Sequence, residues 1–246
     1  MMIKAIFFDL NGTLIDILTN ENDDNVFRMT ANFLSYHKIS ISPEKVRNLY
    51  FELNRAQRAA SNEEFPEFDI QRIFEYIIMQ HSTEKISKEA CLRLAACTSK
   101  VFRAATRYKL ELYPGVQQVL EQLVNKYILA AVSDGQTLWA KPEMCASGLE
   151  KYFQTVIVSG DYGFRKPDER MFTTALEKYA LSPGETIYVG NDMYRDIYGA
   201  GRLGMKTIFF KSNQGDHKSR GIEPDYIIYN FNELPAAISF IESRCS

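Results

Sequence analysis

Four short stretches of the chain put reactive groups where apolar runs stop. Ile3-Lys4-Ala5-Ile6-Phe7-Phe8 ends at Asp9, and the turn Leu10-Asn11-Gly12-Thr13-Leu14 follows. Ile128-Leu129-Ala130-Ala131-Val132 ends at Ser133-Asp134-Gly135, and Thr186-Ile187-Tyr188-Val189 ends at Gly190-Asn191-Asp192, with Asp196 a little beyond. Between them Lys166 stands just before a predicted helix start at Pro167. Taken singly, each group has a plainer role. Asp9 can cap its turn, Ser133 or Asp134 can cap the next helix, Lys166 can sit in solvent, and Asp192 and Asp196 suit a helix's first turn. Taken together, a carboxylate, a hydroxyl, an ammonium and further carboxylates gather at one edge of one sheet. That set suits phosphoryl transfer through a covalent aspartyl intermediate bound to a divalent cation.

Such groups need strands that end side by side. The first run is nearly all apolar, which suits a strand buried on both faces of a parallel sheet, with ligands gathering beyond the strand's carboxyl end. From about Tyr113-Pro114-Gly115 onward, β and α patterns alternate. Helix stripes occur at Val116, Val119, Leu120, Leu123 and Val124, and at Phe172, Ala175, Leu176 and Tyr179. Further strands are expected at Thr155–Val158, Lys206–Phe210 and Tyr226–Ile228, and a last helix from about Leu234 to Ile241. The alternation predicts an α/β protein with a doubly wound, mainly parallel sheet.

Between about Asp16 and Lys109 the pattern is helical instead. Val46, Leu49, Tyr50 and Leu53 form one stripe, opened by Ser42 as N-cap and Pro43 at the first helical position. Ile70, Ile73, Phe74, Ile77 and Ile78 form a stronger one, and Ser87 caps a third helix running towards Phe102. Ser61-Asn62-Glu63-Glu64-Phe65-Pro66 reads as a loop. The block is thus an insertion after the first strand, placed where it can cover the active face.

Whole-chain properties narrow the class. At 246 residues, 46% hydrophobic and 24% charged, the chain has the composition of a soluble globular protein. A formal net charge of -2 argues against nucleic acid as a partner. Cys91, Cys97, Cys145 and Cys245 have neither zinc-ligand spacing nor a disulfide framework. The chain enters a strand at once, without signal-peptide architecture, and no apolar run reaches membrane-spanning length. The expectation is a cytoplasmic protein with no membrane partner. His37, His81 and His217 are scattered and receive no role.

The quoted motifs resemble those of the haloacid dehalogenase superfamily, over essentially the whole chain. Asp9-Leu10-Asn11-Gly12-Thr13-Leu14 is similar to the family's first motif, Asp-x-Asp-Gly-Thr-Leu. Ser133 resembles the second motif, Lys166-Pro167 the third, and Gly190-Asn191-Asp192-Met193-Tyr194-Arg195-Asp196 the acidic fourth. The resemblance implies a Rossmann-like core of residues 1–15 and 110–246 with an inserted α-helical cap of residues 16–109. It implies Asp9 as nucleophile, with Ser133 and Lys166 on the transferring phosphoryl group and Gly12, Thr13 and Asp134 beside it. It implies Mg²⁺ held by Asp9, the main-chain carbonyl of Asn11 and the fourth motif, where Asp192 and Asp196 are the expected acidic pair and Asn191 a neutral ligand. The implied substrate is a small phosphorylated metabolite.

Two residues depart from the family pattern. Asn11 stands where family phosphatases carry the Asp that protonates the leaving group and activates water, and an amide does neither. General acid–base help is worth ~10²–10⁴ in rate, so turnover is expected to be slow. A specialised enzyme, an engineered substitution and a protein kept for binding each account for Asn11. Asn191 stands at one common position for the metal-binding Asp. A carbon–halogen hydrolase is the rival enzyme, since family dehalogenases also lack the second Asp, but they carry a bulky aromatic there and a fourth motif without metal. A non-catalytic phosphometabolite-binding protein is the rival from outside enzymes. Arg55 and Arg58 share a helix face and are candidates for a second anionic group, with a solvated helix face as the plainer reading.

Overall fold

The computed structural model describes residues 2–219 and 221–245, the side chain of Cys245 excepted. The sequence reading's fourth cysteine therefore lies outside the described side chains. Among the described residues a six-stranded sheet runs in the order β5-β4-β1-β6-β7-β8, with every pair parallel. Its strands are β1 (Ala5–Phe8), β4 (Ile128–Ser133), β5 (Thr155–Val158), β6 (Thr186–Gly190), β7 (Lys206–Phe210) and β8 (Tyr226–Ile228).

The two-sided burial expected of β1 is present, and it explains the strand's composition. Ile6 and Phe8 pack into one apolar layer, Ala5 and Phe7 into the other. β4 divides likewise, with Leu129 and Ala131 on one side and Ala130 and Val132 on the other. Alternate side chains of a strand point to opposite faces, so a strand covered on both must be apolar throughout. Helices α5 (Val116–Leu123) and α9 (Leu234–Cys245) cover the first face, and α7 (Glu169–Lys178) the second. Helix α6 (Thr137–Ala146) follows β4, and a π-helical turn Met193–Tyr198 leads into α8 (Gly199–Gly201).

Four helices fill the stretch between residues 24 and 106: α1 (Asp24–Ser35), α2 (Pro43–Ala60), α3 (Ile70–His81) and α4 (Lys88–Thr106). Ser42 caps α2 and Ser87 caps α4 through their side chains, as their positions before apolar stripes predict. Helix α1 has no clean stripe because Thr30 sits on its buried face, where its hydroxyl donates to Val26 O at 2.8 Å. The four helices share an apolar core of their own, built on Phe27, Tyr50, Phe74 and Phe102, and Trp139 of α6 joins it.

The helical block is entered and left through a ribbon of two antiparallel strands, β2 (Ile15–Thr19) and β3 (Arg107–Leu112). The ribbon adds strand at both ends of the otherwise helical stretch between Asp16 and Lys109. The signal was present in Lys109-Leu110-Glu111-Leu112, which alternates with period two. Asp16 accepts from Lys109 Nζ at 2.5 Å and from Gln214 Nε2 at 2.8 Å, tying the ribbon to the loop after β7. No helix of the described residues is long and apolar enough to cross a membrane.

Candidate active site

Sheet order decides where the chemistry lies. From β1 the chain adds β4 and β5 on one side, then returns to add β6, β7 and β8 on the other. The crevice between β1 and β6 is therefore the switch point at which open α/β sheets hold ligands. Asp9 follows β1 and donates its N–H to Val189 O at 3.0 Å, while Asn191 follows β6, so the two stand on either side of that crevice.

Lys166 ties the strand ends together from below. Its Nζ donates to Asp9 Oδ1 at 2.8 Å, Asp196 Oδ1 at 2.6 Å and the Tyr188 hydroxyl at 3.0 Å. The Tyr188 hydroxyl in turn donates a hydrogen bond to Val132 O at 2.8 Å, which anchors the lysine to β4 and β6 alike. All four side chains are buried. Burial opposes the ammonium's charge, but the Asp196 and Asp9 carboxylates outweigh it and hold the Lys166 pKa well above the usual lysine value. Burial raises the pKa of Asp196, against the pull of Lys166.

Thr13 links the first motif to the fourth. Its Oγ1 lies 3.3 Å from Asp9 Oδ2 and 3.1 Å from Asn191 Oδ1. The Asn191 amide fills a slot between two glycines with positive φ. A Cβ on Gly12 or Gly215 would stand 2.3 Å from Asn191 Nδ2 or Asn191 O respectively, so neither position has room for a side chain.

The expected pair Asp192 and Asp196 separates. Asp192 is the N-cap of the π-helical turn: Oδ1 accepts from Tyr194 N and Arg195 N, and Oδ2 from Arg195 Nε and Asp216 N. Burial would raise its pKa, yet the charge of Arg195 and these donors hold it below the usual aspartate value. Asp196 turns inward, its Oδ2 accepting from the N–H groups of Asn191 and Asp192.

A cavity of about 490 Å³ opens over this centre. Asp9, Asn11, Asp134, Lys166, Asn191 and Asp196 line it, whereas Gly12, Thr13, Ser133 and Asp192 do not. Ser133 is buried at the end of β4, with its hydroxyl 3.4 Å from Asp134 O. The helical block supplies the other wall, including Arg58, Glu67, Phe68 and Arg103. Arg58 is engaged there, donating to Pro66 O at 2.7 Å and Glu67 Oε1 at 3.1 Å. Arg103 pairs with Glu143 at 2.7 Å over the Trp139 ring, while Arg55 lines a separate depression with Arg47 and Glu52.

Sequence reasoning passed over Tyr188, Glu67 and Gln136. Tyr188 lay hidden in an apolar strand, where a tyrosine reads as bulk. Glu67 is a buried loop carboxylate whose Oε2 accepts from Ser159 Oγ at 2.7 Å, and burial raises its pKa despite that bond. Gln136 accepts from Ile70 N at 3.1 Å and donates to Phe68 O at 2.7 Å, joining the block to the β4 loop. No local spacing signals such long-range bonds.

A hard divalent cation requires oxygens not already spent. Among the described residues no group of three or more His, Cys, Asp or Glu is arranged to hold a metal ion. Asp192 and Asp196 have both oxygens committed, as described. Asp9 Oδ2 and Asn191 Oδ1 instead share one donor, the Thr13 hydroxyl, whose single proton satisfies one of them at a time. Those two oxygens fit a cation such as Mg²⁺, which is commonly held by one or two carboxylates with phosphate and water completing the shell.

A strand-end carboxylate with one oxygen held by a buried ammonium keeps the other for attack on an electrophile that carries negative charge. The chain belongs to the haloacid dehalogenase-like hydrolase family, whose model matches residues 6–210. It is 28% identical over 242 residues to the glyceraldehyde 3-phosphate phosphatase of Pyrococcus furiosus, covering 98% of this chain and 93% of that one. It is 30% identical over 221 residues to the 5-amino-6-(5-phospho-D-ribitylamino)uracil phosphatase of Escherichia coli, covering 87% and 86%. In fold it is similar to a 2-haloacid dehalogenase from Pseudomonas syringae, with a TM-score of 0.71 at 22% identity over 97% of this chain and 99% of that one. The chain is thus a family hydrolase with phosphatase homologues.

Proposed function

We propose that the chain hydrolyses phosphate monoesters of small metabolites through an aspartyl-phosphate on Asp9. The observation that carries this reading is the Lys166 ammonium, buried in the cavity lining and bound at once to Asp9 and Asp196. Asp9 Oδ2 attacks phosphorus, the P–O bond to the leaving alcohol breaks, and its electron pair stays on the departing oxygen. Water then attacks the phosphorus of the aspartyl-phosphate, releasing inorganic phosphate and regenerating Asp9. Lys166 offsets charge on nucleophile and phosphoryl group. Ser133 orients the phosphoryl oxygens, with Gly12 and Asp134 shaping the loops around them. The Asp9 carboxylate, the Asn11 carbonyl and Asn191 Oδ1 are the proposed holders of Mg²⁺, with Asp196 fixing the backbone of residues 191 and 192. When bound, the ion supplies charge neutralisation to the transferring group.

Residues 16–109 act in this reading as a cap that shields the site from water. The cavity suits a small ligand, since such sites typically span ~300–1,000 Å³. The phosphatase relatives are named for two phosphorylated, hydroxyl-bearing metabolites, and their names support that substrate class here.

Asn11 lines the cavity but has no proton to give, so the departing alcohol takes its proton from water. The test is a panel of phosphate esters and haloacids assayed with Mg²⁺ on this chain and on Asn11→Asp. A gain of ~10²–10⁴ in the variant on phosphate esters is expected. Phosphate binding without turnover in either protein would favour a binding role, and halide release without metal would revive the dehalogenase.

A further inference from the structure

We infer that Glu67, carried by the helical block, is the proton carrier that this site has in place of an acid at residue 11. The inference rests on the reading of the chain as a phosphatase and concerns the water that protonates the departing alcohol. Among the described residues five carboxylates line the cavity: Asp9, Glu21, Glu67, Asp134 and Asp196. Asp9 is the nucleophile, and Asp196 is held by Lys166 and two backbone N–H groups. Asp134 lies between the Arg165 and Arg195 guanidinium groups, at 3.5 and 3.7 Å, and its Oδ2 is buried without a hydrogen bond. Glu21 accepts from the Tyr50 hydroxyl at 2.7 Å, and burial pushes that phenol's pKa so high that it relays no proton.

Glu67 is placed to take and return one. A carboxylate offers about four lone-pair sites. On Oε1 they are filled by Arg58 Nη2 at 3.1 Å and Phe68 N at 3.0 Å, while Oε2 accepts only from Ser159 Oγ at 2.7 Å and keeps one site open. Ser159 suits either state of the acid, because its hydroxyl can turn from Glu67 to Gly135 O at 3.2 Å. Glu67 and Phe68 also form the partition between the cavity and an outer depression of about 520 Å³, where Asp69, Arg72, Asp161 and Tyr162 stand. A proton on Glu67 is thus renewable from outside while the cavity is occupied. Arg165 and Arg58 are the cations that face it, since Arg103 turns to Glu143. Burial outweighs them and raises the Glu67 pKa, the direction that an acid working near neutrality needs.

As the P–O bond breaks, its electron pair stays on the alcohol oxygen. That oxygen takes a proton from the adjoining water, and the water takes the proton of Glu67. In the second half the attacking water gives a proton to the Glu67 carboxylate as its oxygen bonds to phosphorus, and Asp9 leaves with the electron pair. Ester and water become alcohol and phosphate, with Glu67 restored.

The experiment compares kcat/KM of the parent, Glu67→Gln, Asn11→Asp and the double variant, with Mg²⁺, on glycerol phosphate and p-nitrophenyl phosphate across pH. Glu67→Gln alone should lower the value on glycerol phosphate about 10²-fold, the low end of acid–base help. It should spare p-nitrophenyl phosphate, whose nitrophenolate leaves without a proton. The parent's ratio of the two values should fall as pH rises through the Glu67 pKa, where the acid is lost, and the variant's ratio should stay flat. With Asn11→Asp in place the same substitution should cost little, since residue 11 then carries the proton. Equal losses in both backgrounds or on both esters would leave Glu67 a structural part and overturn the inference, as would the expected pattern arising from Glu21→Gln instead. If Glu67→Gln does not fold, the parent decides: a falling ratio supports the role and a pH-independent one overturns it. Activity in Asn11→Asp with none in the parent overturns the role of Glu67 and keeps the phosphatase reading. Phosphate release by none of the four chains removes that reading itself.

Discussion

Asp9 and Asp196 share one ammonium: Lys166 Nζ lies 2.8 Å from the first and 2.6 Å from the second. The sequence pairs Lys166 with a nucleophile and a phosphate, but the fold gives it a second carboxylate from beyond β6. Its side chain is 2% exposed and that of Asp196 is 1% exposed, so neither charge has water to fall back on. A buried charge without its partner is far costlier than the intact pair is stabilising.

Lys166→Met should therefore destabilise the fold by roughly 3–5 kcal/mol, because two carboxylates lose their counter-charge. Adding Asp196→Asn should recover part of that loss, since it removes one of the stranded charges. Denaturant midpoints of the parent, both single variants and the double variant measure it. A Lys166→Met midpoint indistinguishable from the parent's would mean that the centre is hydrated rather than ion-paired.

Asp192 supports the site by holding the turn that carries Asn191 and Asp196. Its folded pKa is depressed, so its contribution is fully present above the unfolded aspartate value of ~3.9 and is lost as pH falls through the folded value. Arg195 keeps some contact with water, which screens the pair. Asp192→Ala should cost about 1–2 kcal/mol at pH 7, the scale of a lost N-cap. The gap in melting temperature between parent and variant should narrow as pH drops below ~3.9. A gap that stays constant down to pH 2 would show that the carboxylate's charge plays no part.

Legibility followed the range of the interaction. β1 and β4 could be read because burial on both faces demands an unbroken apolar run, and Ser42 and Ser87 because caps act within a few residues. Asp9, Lys166 and Asn191 could be placed because strand ends and turn residues announce themselves. The division of labour between Asp192 and Asp196 could not, since both stand in one short acidic turn and only the fold decides which faces Lys166. Tyr188 was hidden for a related reason: its ring packs against Phe172 like any core aromatic, while its hydroxyl serves the site. Glu67 answers to Ser159, which lies far along the chain.

That last contact is part of a latch between the helical block and the strand ends. Glu67 N donates to Gly163 O at 2.9 Å, Arg165 N donates to Phe65 O at 2.9 Å, and Ser159 Oγ donates to Glu67 Oε2 while accepting from Gly135 N at 2.9 Å. The loop before α3 is thus bonded to the loops after β4 and β5. Ser159→Ala removes a donor from a buried carboxylate and an acceptor from a buried amide, a loss of about 1–3 kcal/mol. It leaves the ribbon untouched, so the consequence should be local. The backbone amides of Glu67, Ile70 and Arg165 should exchange hydrogen faster in the variant, while those of β1 and β6 keep their protection. Uniformly faster exchange would indicate global loosening, and unchanged exchange at these amides would mean that the loop is held by its apolar contacts instead.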